Sequence, residues 1–164
     1  MPLVGVYPNR KSFTKLIVCI CSTYWSLNGS IMEEDAMFAE AMKYKDEILL
    51  AFIHFQKMML NVYFDRPIEA ALSAEINRDV GFEVCQGCYF VPRNTFFAGL
   101  SMVLTYRIDG KGSRLRTAKL MKKRLKAWFQ AGNPNFTHFL YLLRAELNSV
   151  NKSTKTLWDS TRRP

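Results

Sequence analysis

The sequence lacks the features of several common protein classes. Its 164 residues include only 8 glycines and 6 prolines, which fall between periodic stretches, so disorder over most of the chain is excluded. Its four cysteines, Cys19, Cys21, Cys85 and Cys88, do not form the dense framework of a small disulfide-linked secreted domain. The cysteine pattern favours a reduced, intracellular protein, which we expect in the cytoplasm.

Motifs that carry chemistry are also missing. The chain has no G-x-x-x-x-G-K-[ST] phosphate-binding loop. His54 and His138 each lie in an apolar helical stretch. Neither has a nucleophile or a carboxylate at a sequence spacing that would place it beside the imidazole. We therefore predict a non-catalytic protein without a cofactor or a metal.

The Cys85-Gln-Gly-Cys88 motif leaves an alternative open. A metal site needs about four ligands, and a redox dithiol normally opens a helix after a strand. The sequence offers neither a second ligand pair nor that context, so we interpret the motif as an ordinary loop. A redox or metal role is the alternative.

Long apolar runs are absent too. The run LIVCICSTYW (16–25) follows a basic N-terminal segment, but about ten residues are too few where about 20 are needed to cross a bilayer. No small-residue cleavage site follows it cleanly. We predict a core helix here and no transmembrane span, and an N-terminal targeting segment is the alternative.

What the chain does contain is helical periodicity. We predict an irregular segment at 1–11, one α-helical domain at 12–150 with a loop at Gly81–Arg93, and an irregular tail at 151–164. The domain has seven predicted helices, over 12–27, 32–45, 47–64, 67–80, 94–107 (or from Thr95), 113–131 and 134–150. Asp46 is the predicted cap of the third helix and Ser113 that of the sixth. Short connections between these helices indicate an all-α fold of stacked antiparallel helix pairs, a divergent tetratricopeptide-like solenoid.

Positive charge is concentrated in one segment. Between Arg107 and Gln130 there are nine Lys and Arg and one acid, Asp109, whereas the rest of the chain holds 14 basic and 13 acidic residues. The apolar residues of this segment share one helix face, and most of the cations lie off it. The apolar residues are Leu115, Ala118, Met121, Leu125 and Trp128, and the possible interaction face comprises Arg114, Lys119, Lys122, Lys123 and Lys126.

That face has three interpretations. It is a solvated outer surface, a site for an acidic protein segment, or a site for nucleic acid or an anionic lipid surface. No recognised nucleic-acid reader motif accompanies the cations, which makes nucleic acid the weaker partner. We expect Trp128, Gly132, Asn133, Pro134 and His138 to serve the turn and its packing.

Two stretches carry a resemblance to a known family. FVPRNTFFAGLSMVLTYR (Phe90–Arg107) and LKAWFQAGNPNFTHFLYLLRAELNSVNK (Leu125–Lys152) resemble the tetratricopeptide-like helical region of large predicted-ATPase signalling proteins, in which these helices follow an ATPase module. The resemblance spans roughly 27–152 and includes Trp128, the Asn-Pro-Asn turn and His138. It implies a regulatory helical region, and no ATP-binding residue carries over because the matching positions are absent.

Together these features predict a helical-repeat module for protein–protein interaction. It would be a relative or a fragment of the regulatory segment of ATPase-type signalling proteins. Binding of a phosphate backbone or an anionic surface by the basic helix, 113–131, is one alternative. A truncated fragment without independent function, which self-associates through an unpaired repeat end, is another.

Overall fold

The computed structural model describes residues 33–84 and 89–161, and these residues contain helices and no strand. The helices are α1 (Glu34–Tyr44), α2 (Glu47–Tyr63), α3 (Pro67–Val84), α4 (Phe90–Asp109), α5 (Gly112–Gln130) and α6 (Thr137–Thr161), with a 3-10 turn at Pro134–Phe136 before α6. The all-α prediction is confirmed. The predicted irregular segment 1–11 and the helix over 12–27 lie outside the described residues.

Several helix ends follow directly from local sequence. The Asp46 side chain accepts a hydrogen bond from the backbone N–H of Leu49 at 3.0 Å, which confirms the predicted cap of α2. Gly110 ends α4 with a φ of 65°, a conformation that glycine adopts without steric cost. The predicted Ser113 cap is wrong: the N-cap of α5 is Lys111, whose backbone N–H donates to the Asp109 carboxylate at 3.0 Å.

Two predicted irregular segments are largely helical. α3 runs to Val84 and α4 begins at Phe90, so most of the predicted loop Gly81–Arg93 is helix. A glycine inside a helix costs only about 1 kcal/mol, and a proline in the first turn removes an N–H that has no helical partner. α6 likewise continues to Thr161, because no glycine or proline interrupts the chain there although the apolar periodicity is lost.

α4 is the central helix of the described fold. It contacts α2, α3, α5 and α6, and most of its residues are buried. Asn77, late in α3, donates to Asn94 near the start of α4 at 3.0 Å, and the Thr105 hydroxyl late in α4 donates to the carbonyl of Pro67 at the start of α3 at 2.7 Å. These two contacts show that α3 and α4 are antiparallel.

Phenylalanine side chains connect α2, α4 and α6 through the core. Phe52 of α2 meets Phe90 of α4 with ring centroids 4.3 Å apart. Phe96 of α4 stacks on Phe139 of α6 at 4.7 Å, with an interplanar angle of 18°. Aromatic pairs at these distances add to the free energy gained from burying the rings. Phe96 and Phe139 lie early in α4 and α6, and Arg107, late in α4, pairs with Glu146 further along α6, so those two helices are parallel.

Gly99 allows α5 and α6 to approach α4 closely. A Cβ atom at this position would lie 2.6 Å from Leu143 Cδ2 of α6 and 3.1 Å from Met121 Cβ of α5. Leu143 and Met121 are themselves almost fully buried, so neither can move aside into solvent. The missing side chain is therefore what lets three helices meet at one point.

We expect Gly99→Ala to lower the free energy of unfolding by up to about 2 kcal/mol. The overpacking penalty of about 1–3 kcal/mol exceeds the gain of about 1 kcal/mol in helix propensity. Gly112→Ala is the matched control, because a Cβ there has no neighbour within 4 Å. Urea unfolding followed by circular dichroism measures both variants. Equal stability of the two would contradict a close approach at Gly99.

Candidate interaction surface

The inner side of α5 packs on the core. Ala118, Met121 and Leu125 are buried, while Leu115 and Trp128 are partly buried against the same cluster. The apolar stripe predicted from the sequence is thus the packed side of the helix. Its burial fixes the rotation of α5 about its axis and determines which residues face solvent.

The opposite side of α5 is exposed along most of its length. We call this surface the outward face of α5, and it is formed by Arg116, Lys119, Leu120, Lys123, Lys126, Ala127 and Gln130. Leu120 is 45% exposed, which is high for a large apolar side chain. The outward face therefore combines four cations with a small aliphatic component.

The five cations of the predicted interaction face do not share one surface. Lys119, Lys123 and Lys126 lie on the outward face, and Lys122 is half-buried at its flank. Arg114 is separate from them, in an ion-pair network. The sequence prediction missed Arg116, Leu120 and Ala127, although their helical spacing to Lys123 could have placed them on the same side.

Arg114 joins three elements of the fold. Its Nε donates to Asp109 Oδ2 at 2.8 Å and its Nη1 donates to Glu75 Oε1 of α3 at 3.0 Å. The Arg114 side chain is only 14% exposed. The hydrogen bond from the Lys111 backbone N–H, and then the Arg114 guanidinium, lower the pKa of Asp109 below its ordinary value. Arg114 is therefore a structural cation.

The cations of the outward face are not neutralised in the same way. Among the described residues, Arg116, Lys119, Lys123 and Lys126 form no ion pair, whereas Arg107 pairs with Glu146 and Lys57 with Glu34. α5 itself contains no acidic residue. Like charges three or four residues apart on a helix repel one another by about 0.2–0.5 kcal/mol per pair. The repulsion between the cations of the outward face is thus not offset by an acidic side chain of α5.

The turn between α5 and α6 is built largely from backbone contacts. Gly132 has a φ of 87°, and the N–H of Asn133 donates to the carbonyl of Trp128 at 3.2 Å. Pro134 begins the 3-10 turn, and its carbonyl accepts from the Thr137 hydroxyl at 2.6 Å.

His138 was expected to serve the turn and its packing, and the contact that the structure shows is one of packing. It is exposed, and it rests against the Phe139 ring with centroids 4.0 Å apart. The polar side chain that serves the turn is Thr137.

His54 is half-buried between α1 and α2. Its ring meets the edge of Phe38, with centroids 5.9 Å apart at an angle of 85°. Burial, and next the positive charge of Lys57, lower the pKa of His54 below its ordinary value of 6.5, against a smaller opposing effect of Glu34. This geometry is that of a packing residue.

Among the residues whose side chains the structure describes, 33–78 and 89–150, no group of three or more His, Cys, Asp and Glu side chains is arranged to bind a metal ion. No helix within 33–84 and 89–161 is long and apolar enough to cross a membrane. The C-x-x-C motif at Cys85 and Cys88 and the pair Cys19 and Cys21 lie outside the described residues.

Comparison with known proteins yields no relative of this chain. No family model, no curated protein and no solved structure matches it. The resemblance to the helical region of ATPase-type signalling proteins therefore stays a prediction.

We expect Arg114→Ala to lower the Tm by about 2–4 °C, because it removes two ion pairs that join α5 to α3 and α4. Lys119→Ala, on the same helix, removes only repulsion and should leave the Tm unchanged or slightly raised. Thermal unfolding by circular dichroism measures both. A larger loss for Lys119→Ala than for Arg114→Ala would contradict the assignment of Arg114 as the structural cation.

We expect His54 to make the protein less stable as the pH falls below about 6.5. The unfolded chain takes up a proton on this imidazole before the folded chain does, so acid favours unfolding. His54→Gln should therefore reduce the difference in Tm between about pH 7.5 and about pH 5.5. The exposed His138→Gln is the control. An unchanged difference in His54→Gln would contradict the burial effect.

Proposed function

We propose that this protein is a non-catalytic helical interaction module that binds an acidic segment of another protein on the outward face of α5. The observation that carries the proposal is the set of four exposed cations, Arg116, Lys119, Lys123 and Lys126, that lack acidic partners among the described residues. They lie on the solvent-facing side of a helix whose other side is anchored in the core.

The electrostatics of α5 favour an anionic partner. Each like-charged neighbour raises the free energy of the folded state, and no acid three or four residues away on α5 offsets it. Carboxylates brought close to these cations would replace repulsion by attraction. Such complementarity also speeds association and selects against basic partners.

Several observations favour a protein over nucleic acid. The exposed apolar residues of the outward face are aliphatic, Leu120 and Ala127, and the exposed Phe129 of α5 lies off that face, whereas nucleic-acid surfaces commonly interleave cations with aromatic side chains on which bases stack. Outside 107–130 the chain is almost neutral, so it presents no general basic field. Binding of a phosphate backbone is the alternative function.

We also propose that the helices form a divergent tetratricopeptide-like stack. Support comes from the contacts, in which α4 touches both its neighbours in sequence and the helices two positions away, α2 and α6. That pattern is typical of stacked helix pairs, which provide extended surfaces for partners. A regulatory role beside an ATPase in a cytoplasmic signalling protein follows from the sequence resemblance alone.

Charge reversal on the outward face should weaken binding to an acidic polypeptide. We expect Lys119→Glu/Lys126→Glu to bind poly-L-glutamate about tenfold or more weakly than the unmodified chain at low salt, by isothermal titration calorimetry. Two attractions are lost and two repulsions are introduced. Binding by the unmodified chain should weaken as salt rises.

The matched control is Lys43→Glu/Arg144→Glu, which makes the same change in net charge at exposed positions on α1 and α6. It should retain most of the affinity. Equal weakening in both double variants would show a general effect of net charge and would contradict a defined face. Tighter binding to a DNA duplex of matched charge than to poly-L-glutamate would favour the phosphate-backbone alternative.

A further inference from the structure

We propose that the acidic segment docks on the outward face of α5 as an amphipathic α-helix, not as an extended chain. This inference rests on the proposed function and specifies the conformation and patterning of the partner. Three features of the outward face carry it: the heptad spacing of its residues, the axial distance between its cations, and its two exposed aliphatic side chains.

The exposed residues follow the spacing of a helix–helix seam. Arg116, Leu120, Lys123, Ala127 and Gln130 are separated by four, three, four and three residues, and all of them are exposed. In a heptad such positions form one continuous line along a helix, which a second helix can follow. α5 thus has two seams, of which the inner one is occupied by the core and the outer one is open.

Lys119 and Lys126 lie beside this outer seam. They are seven residues apart, and each is one residue before an aliphatic seam residue, Leu120 or Ala127. In coiled coils, charged residues that flank the seam in this way form the interhelical ion pairs that select a partner. Here both flanking residues are lysines, so the matching positions of the partner are acidic.

The distance between cations along the helix axis distinguishes the possible occupants. From Arg116 to Lys126 the four cations span about 15 Å, or about 5 Å per step, at 1.5 Å per residue. Acids spaced three or four residues apart on a partner helix repeat every 4.5–6 Å or so, which matches this spacing.

Other occupants do not stay in register. Side chains on one side of an extended strand repeat every 6.6 Å or so, and phosphates along one DNA strand advance by about 3.4 Å. Either would drift out of register with the row of cations within three or four steps.

The aliphatic residues indicate what else the partner carries. Leu120 is 45% exposed and Ala127, one heptad further along, is exposed as well. A large side chain followed by a small one offers a knob and a hole to a facing helix. The partner therefore presents apolar residues along one seam, with acidic residues at its edge.

Two synthetic peptides of equal composition test this inference with the full chain. The patterned peptide has three heptads, with Leu and Ala at the seam and Glu at the flanking positions. The shuffled peptide carries the same residues with a period of two, which suits a strand. Isothermal titration calorimetry gives the affinity, and circular dichroism of the mixture reports the helicity that the peptide gains on binding.

We expect the patterned peptide to bind about tenfold or more tightly than the shuffled one and to become helical when bound. Leu120→Gln should remove most of that preference, because it deletes the main apolar contact without changing charge. The control Leu142→Gln removes a similarly exposed leucine on α6 and should leave the preference intact.

One contrary result is that the unmodified chain binds the two peptides with equal affinity and that Lys119→Glu/Lys126→Glu loses both interactions. That result would overturn the helical inference and leave the proposed function in place. If neither peptide binds and poly-L-glutamate does not bind, the proposed function is overturned as well. Tighter binding of a charge-matched DNA duplex than of the patterned peptide would also overturn the inference.

Discussion

The close approach of three helices at Gly99 is the constraint on which the candidate surface depends. Since Gly99 has no side chain, Met121 of α5 and Leu143 of α6 pack directly against the backbone of α4. Met121 lies between Ala118 and Leu125 in sequence, and all three are buried. This contact sets the rotation of α5 about its own axis, and that rotation directs Lys119, Lys123 and Lys126 to solvent.

Relative magnitudes explain why α5 tolerates so much uncompensated charge. Full burial of a side chain such as Leu125 or Met121 contributes about 1.5–3 kcal/mol, whereas each like-charged neighbour on a helix costs about 0.2–0.5 kcal/mol. The inner side therefore outweighs the repulsion on the outer side, and the helix forms without a partner. The stability of the fold and the charge of the surface are carried by opposite sides of one helix.

The sequence predicted the features that depend on local periodicity and capping. The apolar side of α5 and the Asp46 cap of α2 both follow from the identity and spacing of nearby residues, and both are present. The predicted loop at Gly81–Arg93 was wrong over 81–84 and 90–93, because the effect of glycine or proline on a helix depends on its position within that helix. The tail prediction was wrong because loss of an apolar stripe removes evidence of packing, but not the tendency to remain helical.

The candidate site was harder to predict than the fold, since it depends on contacts that are distant in sequence. One partner of Arg114, Asp109, lies five residues before it, but the other, the Glu75 carboxylate, belongs to α3 and is 39 residues away in sequence. The outer seam was overlooked for another reason: a heptad pattern is usually recognised by apolar residues, and here cations occupy two of its five positions. Only the burial of the inner seam shows that the outer seam is a separate surface.

Shielding gives the two groups of cations different responses to salt. The Arg114 side chain is 14% exposed and bonded to two carboxylates, of which Glu75 is 51% exposed, so dissolved ions screen its interactions only in part. Lys119, Lys123 and Lys126 are exposed, and ions screen them strongly. Raising the ionic strength therefore reduces attraction between the outward face and an acidic partner more than it weakens the network that joins α3 to α5. The same change weakens the repulsion within α5, so salt that releases a partner also makes the free helix more stable.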